Sequence, residues 1–169
     1  MNNNDYYSKL GGLPPQTQLL SSKAVFTTAY AVIPRGVLTD IVSSVLPHWT
    51  GTRAWVLSRP LSGFSETFSQ YVMEVQPGGG SDRPESDKRA EAVLFVVEGG
   101  MTVELDGVSH ALRAGSFAYL PAGSVWRLKN DGSAAAIFHW IRKAFQEVEG
   151  LEPPPAIFTH EDDLSLIHI

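Results

Sequence analysis

The chain has no cysteine among its 169 residues, which excludes a disulfide framework, a thiolate metal site and a cysteine nucleophile. Any metal would need histidine, carboxylate or amide donors. Basic residues are also scarce: 13 Lys and Arg against 18 Asp and Glu leave a net charge of −5. Affinity for nucleic acid begins with clustered cations that neutralise phosphates, so nucleic acid is not an expected partner. No stretch approaches the ~20 apolar residues of a membrane span. The start, Met1-Asn2-Asn3-Asn4-Asp5-Tyr6-Tyr7, has neither the basic region nor the apolar run of a signal peptide. These absences predict a cytoplasmic chain without membrane contact. An amphipathic helix of three turns is missing as well. The five histidines, His48, His110, His139, His160 and His168, never fall into an H-x-H or H-x-x-x-H pair, so no local ligand cluster exists. None of them is expected to be catalytic: His110 and His139 read as hydrogen-bonded strand residues and His48 as a loop-packing residue.

What is present is a globular composition, 43% hydrophobic and 18% charged, in a length that suits one domain with an extension. Residues 1–24 are rich in Asn, Gly, Pro, Gln and Ser without a period, which predicts an irregular N-terminal arm. From residue 25 the texture becomes β-branched and aromatic. Strands are expected at 25–33, 53–57, 67–75, 92–97, 101–105, 108–112, 116–120, 125–128 and 134–143, with turn signals such as Asp106-Gly107 about every eight residues. Parallel strands need crossovers of a dozen or more residues, and none fits between Ala92 and Lys143. The expected fold is therefore all-β, an antiparallel sandwich or barrel over residues 25–148. Residues 76–91 are expected to be a loop. It opens on Pro77-Gly78-Gly79-Gly80, a strand-ending turn and not a phosphate loop, because no Lys-Ser/Thr follows. Four acidic and three basic residues then nearly cancel between Ser81 and Glu91, as on a solvated loop. Residues 149–163 are expected to be a linker.

Two stretches have the spacing of the two motifs of the cupin superfamily of jelly-roll barrels. Gly80 and Gly99 stand at the separation of the first motif, and Gly115, Pro121, Gly123 and Asn130 fit the second at every offset. The four positions that hold three His and one Glu in a metal-binding cupin fall on Ser86, Lys88, Ala92 and Trp126. Ser86 is a weak ligand, Lys88 is a cation, Ala92 has no donor, and Trp126 fills the space that an ion needs. The frame is kept and the donors are gone, which implies a metal-free barrel. The four tryptophans, Trp49, Trp55, Trp126 and Trp140, are expected to serve core and interface packing.

Longer phrases narrow the resemblance. Gly11-Gly-Leu-Pro-Pro-Gln, Ala29-Tyr-Ala-Val-Ile-Pro-Arg-Gly36, Leu46-Pro-His-Trp-Thr-Gly-Thr-Arg-Ala-Trp55, Pro77-Gly-Gly-Gly-Ser-Asp-Arg-Pro-Glu85 and Phe138-His-Trp-Ile-Arg-Lys143 together resemble the amino-terminal half of the (S)-ureidoglycine aminohydrolases, a bicupin family. The resemblance covers roughly residues 6–163. It implies a parent enzyme of purine breakdown that releases ammonia from (S)-ureidoglycine and leaves (S)-ureidoglycolate. It also implies that manganese and substrate sit in a second, carboxy-terminal barrel, that this barrel packs against that one, and that the parent is a homo-oligomer. No catalytic or metal-ligating residue is then expected in this chain. Asp82, Arg83 and Glu85 belong to a shared phrase without an assignable chemical step. Residues 164–169, Leu-Ser-Leu-Ile-His-Ile, fit no part of the family pattern and equal the in-frame translation of a common sequencing-adapter end, so a non-native tail on a truncated gene is expected. The alternative is a stand-alone metal-free cupin that binds a small ligand or regulates. A metal-dependent cupin dioxygenase or isomerase is disfavoured by the missing ligands.

Overall fold

Alternation of buried and exposed side chains runs through most strands of the computed structural model, which describes residues 25–26, 30–32, 44–58 and 67–164. The chain divides into two compact units, Met1–Val42 and Ser43–Ile169. In the first, β1 (Val25–Phe26) pairs antiparallel with β2 (Ala31–Val32), Val25 lying opposite Val32. The single strand expected over 25–33 is thus corrected: its described residues include two short strands paired with each other, not one continuous strand. The arm expected at 1–24 and residues 165–169 of the expected tail lie outside the described residues.

The second unit is built from β3 (Trp49–Ser58), β4 (Phe68–Ser81), β5 (Ala90–Glu98), β6 (Gly100–Leu105), β7 (Val108–Arg113), β8 (Ser116–Leu120), β9 (Trp126–Lys129), β10 (Ala136–Ala144) and β11 (Ile157–His160). They form one sheet in the order β11-β8-β5-β10-β4-β9-β6-β7, with β3 on the other side of β4, and every pairing is antiparallel. The sheet curls into a nearly closed barrel. Period-2 spacing explains what fills it: Ala92, Leu94 and Val96 on β5, Met101 and Val103 on β6, Ala118 and Leu120 on β8, and Phe138 and Trp140 on β10 all point inward and are buried. Asp106 and Gly107 both adopt positive φ, 50° and 83°, and make the two-residue hairpin between β6 and β7 whose twist suits the flanking strands.

Two expectations fail for one reason, that pairing partners lie far away in sequence. Pro77–Gly80 does not end its strand, because β4 continues to Ser81 between β3 and β9. A Cβ on Gly79 would come within 2.8 Å of the Thr50 and Gly51 carbonyl oxygens, and one on Gly80 would overlap the Leu128 carbonyl. Glycine is required there for close approach, and not for a turn. Within the expected linker, Ile157–His160 adds an edge strand to β8, with Ile157 opposite Tyr119 and His160 opposite Ser116. Among the described residues the one helical turn is a 3-10 turn at Glu161–Asp163.

Candidate functional site

The inner ends of the strands bring a cluster of aromatic rings together inside the barrel. Trp126 lies edge-on to Trp140 with ring centroids 6.1 Å apart. Trp49 packs on Trp140 at 5.6 Å and on Phe138 at 6.4 Å, and Tyr71 lies 5.4 Å from Trp140. Such tilted and edge-on pairs suit the ring quadrupole and remove large apolar areas from water. Trp126 is held there by β9, which pairs with β6 through Leu105.

The four positions at metal-ligand spacing do not share one environment. Ala92 and Trp126 belong to the core cluster, whereas Ser86 and Lys88 are exposed. The inward aim that the motif spacing assigns to Ser86 and Lys88 is therefore corrected. The strand that would have aimed them ends at Ser81 and the next starts at Ala90, with Ala90 N–H closing a turn on the Asp87 carbonyl. The motif asparagine has a structural task. Asn130 is fully buried; its amide donates to the Val75 and Ala134 carbonyls at 2.8 Å each, and its side-chain oxygen accepts from Gly132 N–H. All its polar atoms are used in pinning the β9–β10 turn to β4. Among the described residues no group of three or more His, Asp and Glu side chains is arranged to hold a metal.

A cavity of about 160 Å³ opens beside the aromatic cluster, bounded by Trp49, Tyr71, Pro84, Glu85, Trp140 and Arg142. Glu85 Oε1 accepts from Arg142 Nη2 at 2.6 Å and from the Ser86 and Asp87 backbone N–H groups at 2.9 and 2.8 Å. The Glu85 side chain is only 8% exposed. Its second oxygen, Oε2, is buried with no hydrogen-bond partner, and so is the Trp140 indole Nε1. Arg142 also stacks over Trp140, its guanidinium carbon 5.7 Å from the ring centre. Reasoning from local pattern misses this group: Glu85 is singled out without a role, Trp140 as packing, and Arg142 not at all. A second, open groove of about 580 Å³ is lined by Gly78–Arg83 and by Arg127, Lys129 and Asp131, and its lining charges of both signs are partly paired, Lys129 with Asp131 at 2.8 Å.

Three of the described histidines have defined side-chain contacts. His139 Nδ1 lies 3.4 Å from Gln70 Nε2, and burial pushes its pKa below the ordinary value. His110 stacks face to face on Phe158 at 3.6 Å, where a hydrogen bond is expected from sequence. His160 Nε2 lies 2.8 Å from the Ala114 carbonyl while Nδ1 accepts from Asp162 N–H, which assigns the proton to Nε2 and ties β11 to the β7–β8 turn. His48 is exposed, at positive φ of 67°.

Residues 71–142 match the family model described as a cupin domain, and the barrel is of the cupin type. The chain is 50% identical to the putative glyoxylate induced protein of Pseudomonas aeruginosa, whose crystal structure superposes with a TM-score of 0.79 over 91% of this chain and 55% of that one. Over 113 residues it is 26% identical to the (S)-ureidoglycine aminohydrolase of Escherichia coli (strain K12), covering 67% of this chain and 42% of that protein. It is 29% identical over 113 residues to a probable (S)-ureidoglycine aminohydrolase of Oryza sativa subsp. japonica, covering 66% and 35%. The chain spans less than half the length of these curated relatives.

Proposed function

We propose that this chain is the amino-terminal, non-catalytic barrel of a larger cytoplasmic (S)-ureidoglycine aminohydrolase, whose manganese and substrate are held by a second cupin barrel absent here. The observation that carries the reading is the mismatch between frame and donors. The glycines, proline and asparagine of both cupin motifs build the barrel, yet Ala92 and Trp126 bring a methyl group and an indole to ligand positions. Those residues do not fit a metal ion, so no chemical step is assigned to this barrel. The similarity to two aminohydrolases over two thirds of the chain supports the choice of enzyme.

Packing against a second barrel and assembly into a homo-oligomer are supported by the outer face of β5, β8 and β11. Phe95 lies opposite Phe117, and Val93 opposite Tyr119, which is opposite Ile157. Phe95, Val97 and Ile157 remain 38, 49 and 44% exposed. An apolar patch of this kind, on a sheet whose other face is the core, is suited to burial against a partner. The test is ammonia release from freshly prepared ureidoglycine with manganese added and spontaneous decay subtracted. A chain continued through a second barrel is expected to turn over, and the 169-residue chain is not. Turnover by the 169-residue chain overturns the proposal.

The alternative, a stand-alone metal-free cupin that binds a small ligand or regulates, is favoured by one observation, the cavity lined by Glu85, Trp140 and Arg142.

A further inference from the structure

His139 stands amid apolar neighbours on the outer face of the sheet. It lies opposite Val72 of β4 and Phe95 of β5, with Ile137 and Ile141 two residues away on its own strand and the same face. Its ring is half-buried, and burial lowers its pKa. The polar contact it makes is with an uncharged group, Gln70 Nε2, 3.4 Å from Nδ1. The charged groups of the neighbouring strands are engaged elsewhere or sit at the margins. On β4, Glu74 binds Gln76 and lies 4.0 Å from Arg53 of β3. On β5, Glu91 accepts from Tyr119 of β8, and Glu98 lies opposite Ile137. On β10 itself, Lys143 lies opposite Glu91. Among the described residues none of these forms an ion pair with His139.

The relief and charge of this face suit a copy of itself. Phe95 and Ile157 are exposed and lie beside a groove of about 430 Å³ walled by Val93, Tyr119 and Ile141, with Glu91 and Lys143 also in its lining. Across a two-fold axis the exposed side chains of each copy can enter the groove of the other. Lys143 of one copy, which has no ion-pair partner among the described residues, can then meet Glu91 of the other. Such a pair buries one His139 from each copy. An imidazolium there would lose its water without gaining an anion, so its proton must leave before the faces close. We infer that two copies of this chain pair through the outer face of β10, β5, β8 and β11, and that the pair forms only while His139 is neutral. This rests on the reading of that face as a packing surface, to which it adds the partner and a control by pH.

Sedimentation velocity of the full 169-residue chain at constant ionic strength tests both parts. At pH 7 a reversible dimer is expected. Its dissociation constant should rise at least about tenfold by pH 5, because each copy must give up a proton to pair. The direction is diagnostic: the net charge of −5 shrinks as carboxylates protonate, and the loss of mutual repulsion alone would strengthen association. His139→Gln keeps a neutral polar side chain, so it should dimerise equally at both pH values, whereas Phe95→Lys should be monomeric at both. A monomeric chain at pH 7, association that does not weaken at pH 5, or a pH dependence retained in His139→Gln overturns the inference. Phe95→Lys separates the two layers. If it dimerises like the unsubstituted chain, the face itself is wrongly assigned; if it is monomeric while the unsubstituted dimer ignores pH, only the role of His139 is lost. If His139→Gln does not fold, the pH series on the unsubstituted chain and Phe95→Lys decides alone.

Discussion

Trp126 shows how one side chain can replace the purpose of a position while keeping its place. It lies where the cupin frame puts a histidine, and its ring is part of a cluster that includes Trp140 and, through it, Trp49. Trp126→His is therefore expected to lower stability by ~3 kcal/mol or more, the range for emptying a large buried site. It is not expected to create a manganese site, because a single imidazole does not chelate. Thermal melting and elemental analysis after dialysis read the two outcomes. An unchanged melt would place Trp126 outside the core. His139 makes the second case. Burial favours its neutral form in the fold, while the unfolded chain takes up a proton near pH 6.5. The stabilising contribution is complete above that value and declines as the pH falls below it, so the fold gains from His139 as pH rises from about 5 to 7. Denaturant melts across that range should show a shallower pH dependence in His139→Gln. Tyr119 behaves oppositely. Burial first, and then its 2.8 Å hydrogen bond to Glu91, push its pKa up to about 12; absorbance of tyrosinate should show one such late titration, lost in Tyr119→Phe.

Strands fail or succeed here according to what lies beside them. β4 is the longest, 14 residues, and it survives a Pro-Gly-Gly-Gly run because β3 and β9 flank it so closely that side chains are not admitted. The glycines are consequently not equivalent. Gly78 has positive φ and nothing within 4 Å of an added Cβ, so Gly78→Ala is expected to cost ~1 kcal/mol from its left-handed backbone alone. Gly80→Ala adds a clash with the backbone of Leu128, which cannot move without breaking the β4–β9 pairing. Its cost should be at least about twice as large. Chemical denaturation of the two variants compares them directly, and equal costs would show that β9 yields.

At the level of the whole barrel, one face of the sheet is sealed and the other is apolar where β5, β8 and β11 meet. The isolated chain is expected to self-associate through this face. Phe95→Lys with Ile157→Lys places two cations on exposed outer positions while leaving the inward residues untouched, and should shift sedimentation velocity profiles toward monomer without lowering the melting temperature. Association that persists unchanged in the double variant would move the contact elsewhere.

Much of this architecture is legible along the chain, because strand period and turn chemistry act over a few residues. The alternation on β5, β6, β8 and β10, the Asp106-Gly107 hairpin and the glycine-proline-asparagine frame of the cupin motifs can all be read locally, and so can the loss of donors at Ala92 and Trp126. Long-range facts cannot. Glu85 and Arg142 are 57 residues apart, and nothing in either segment marks the other as its partner. His160 reaches Ala114 across 46 residues, which makes a strand of a stretch that reads as linker. Pro77–Gly80 looks like a stop because glycine permits turns, but whether it turns or extends depends on how near the neighbouring backbones come. The sites at Ser86 and Lys88 fell on the surface for the same reason: motif spacing counts residues, whereas closure of the sheet sets where each strand ends and which side chains face the interior.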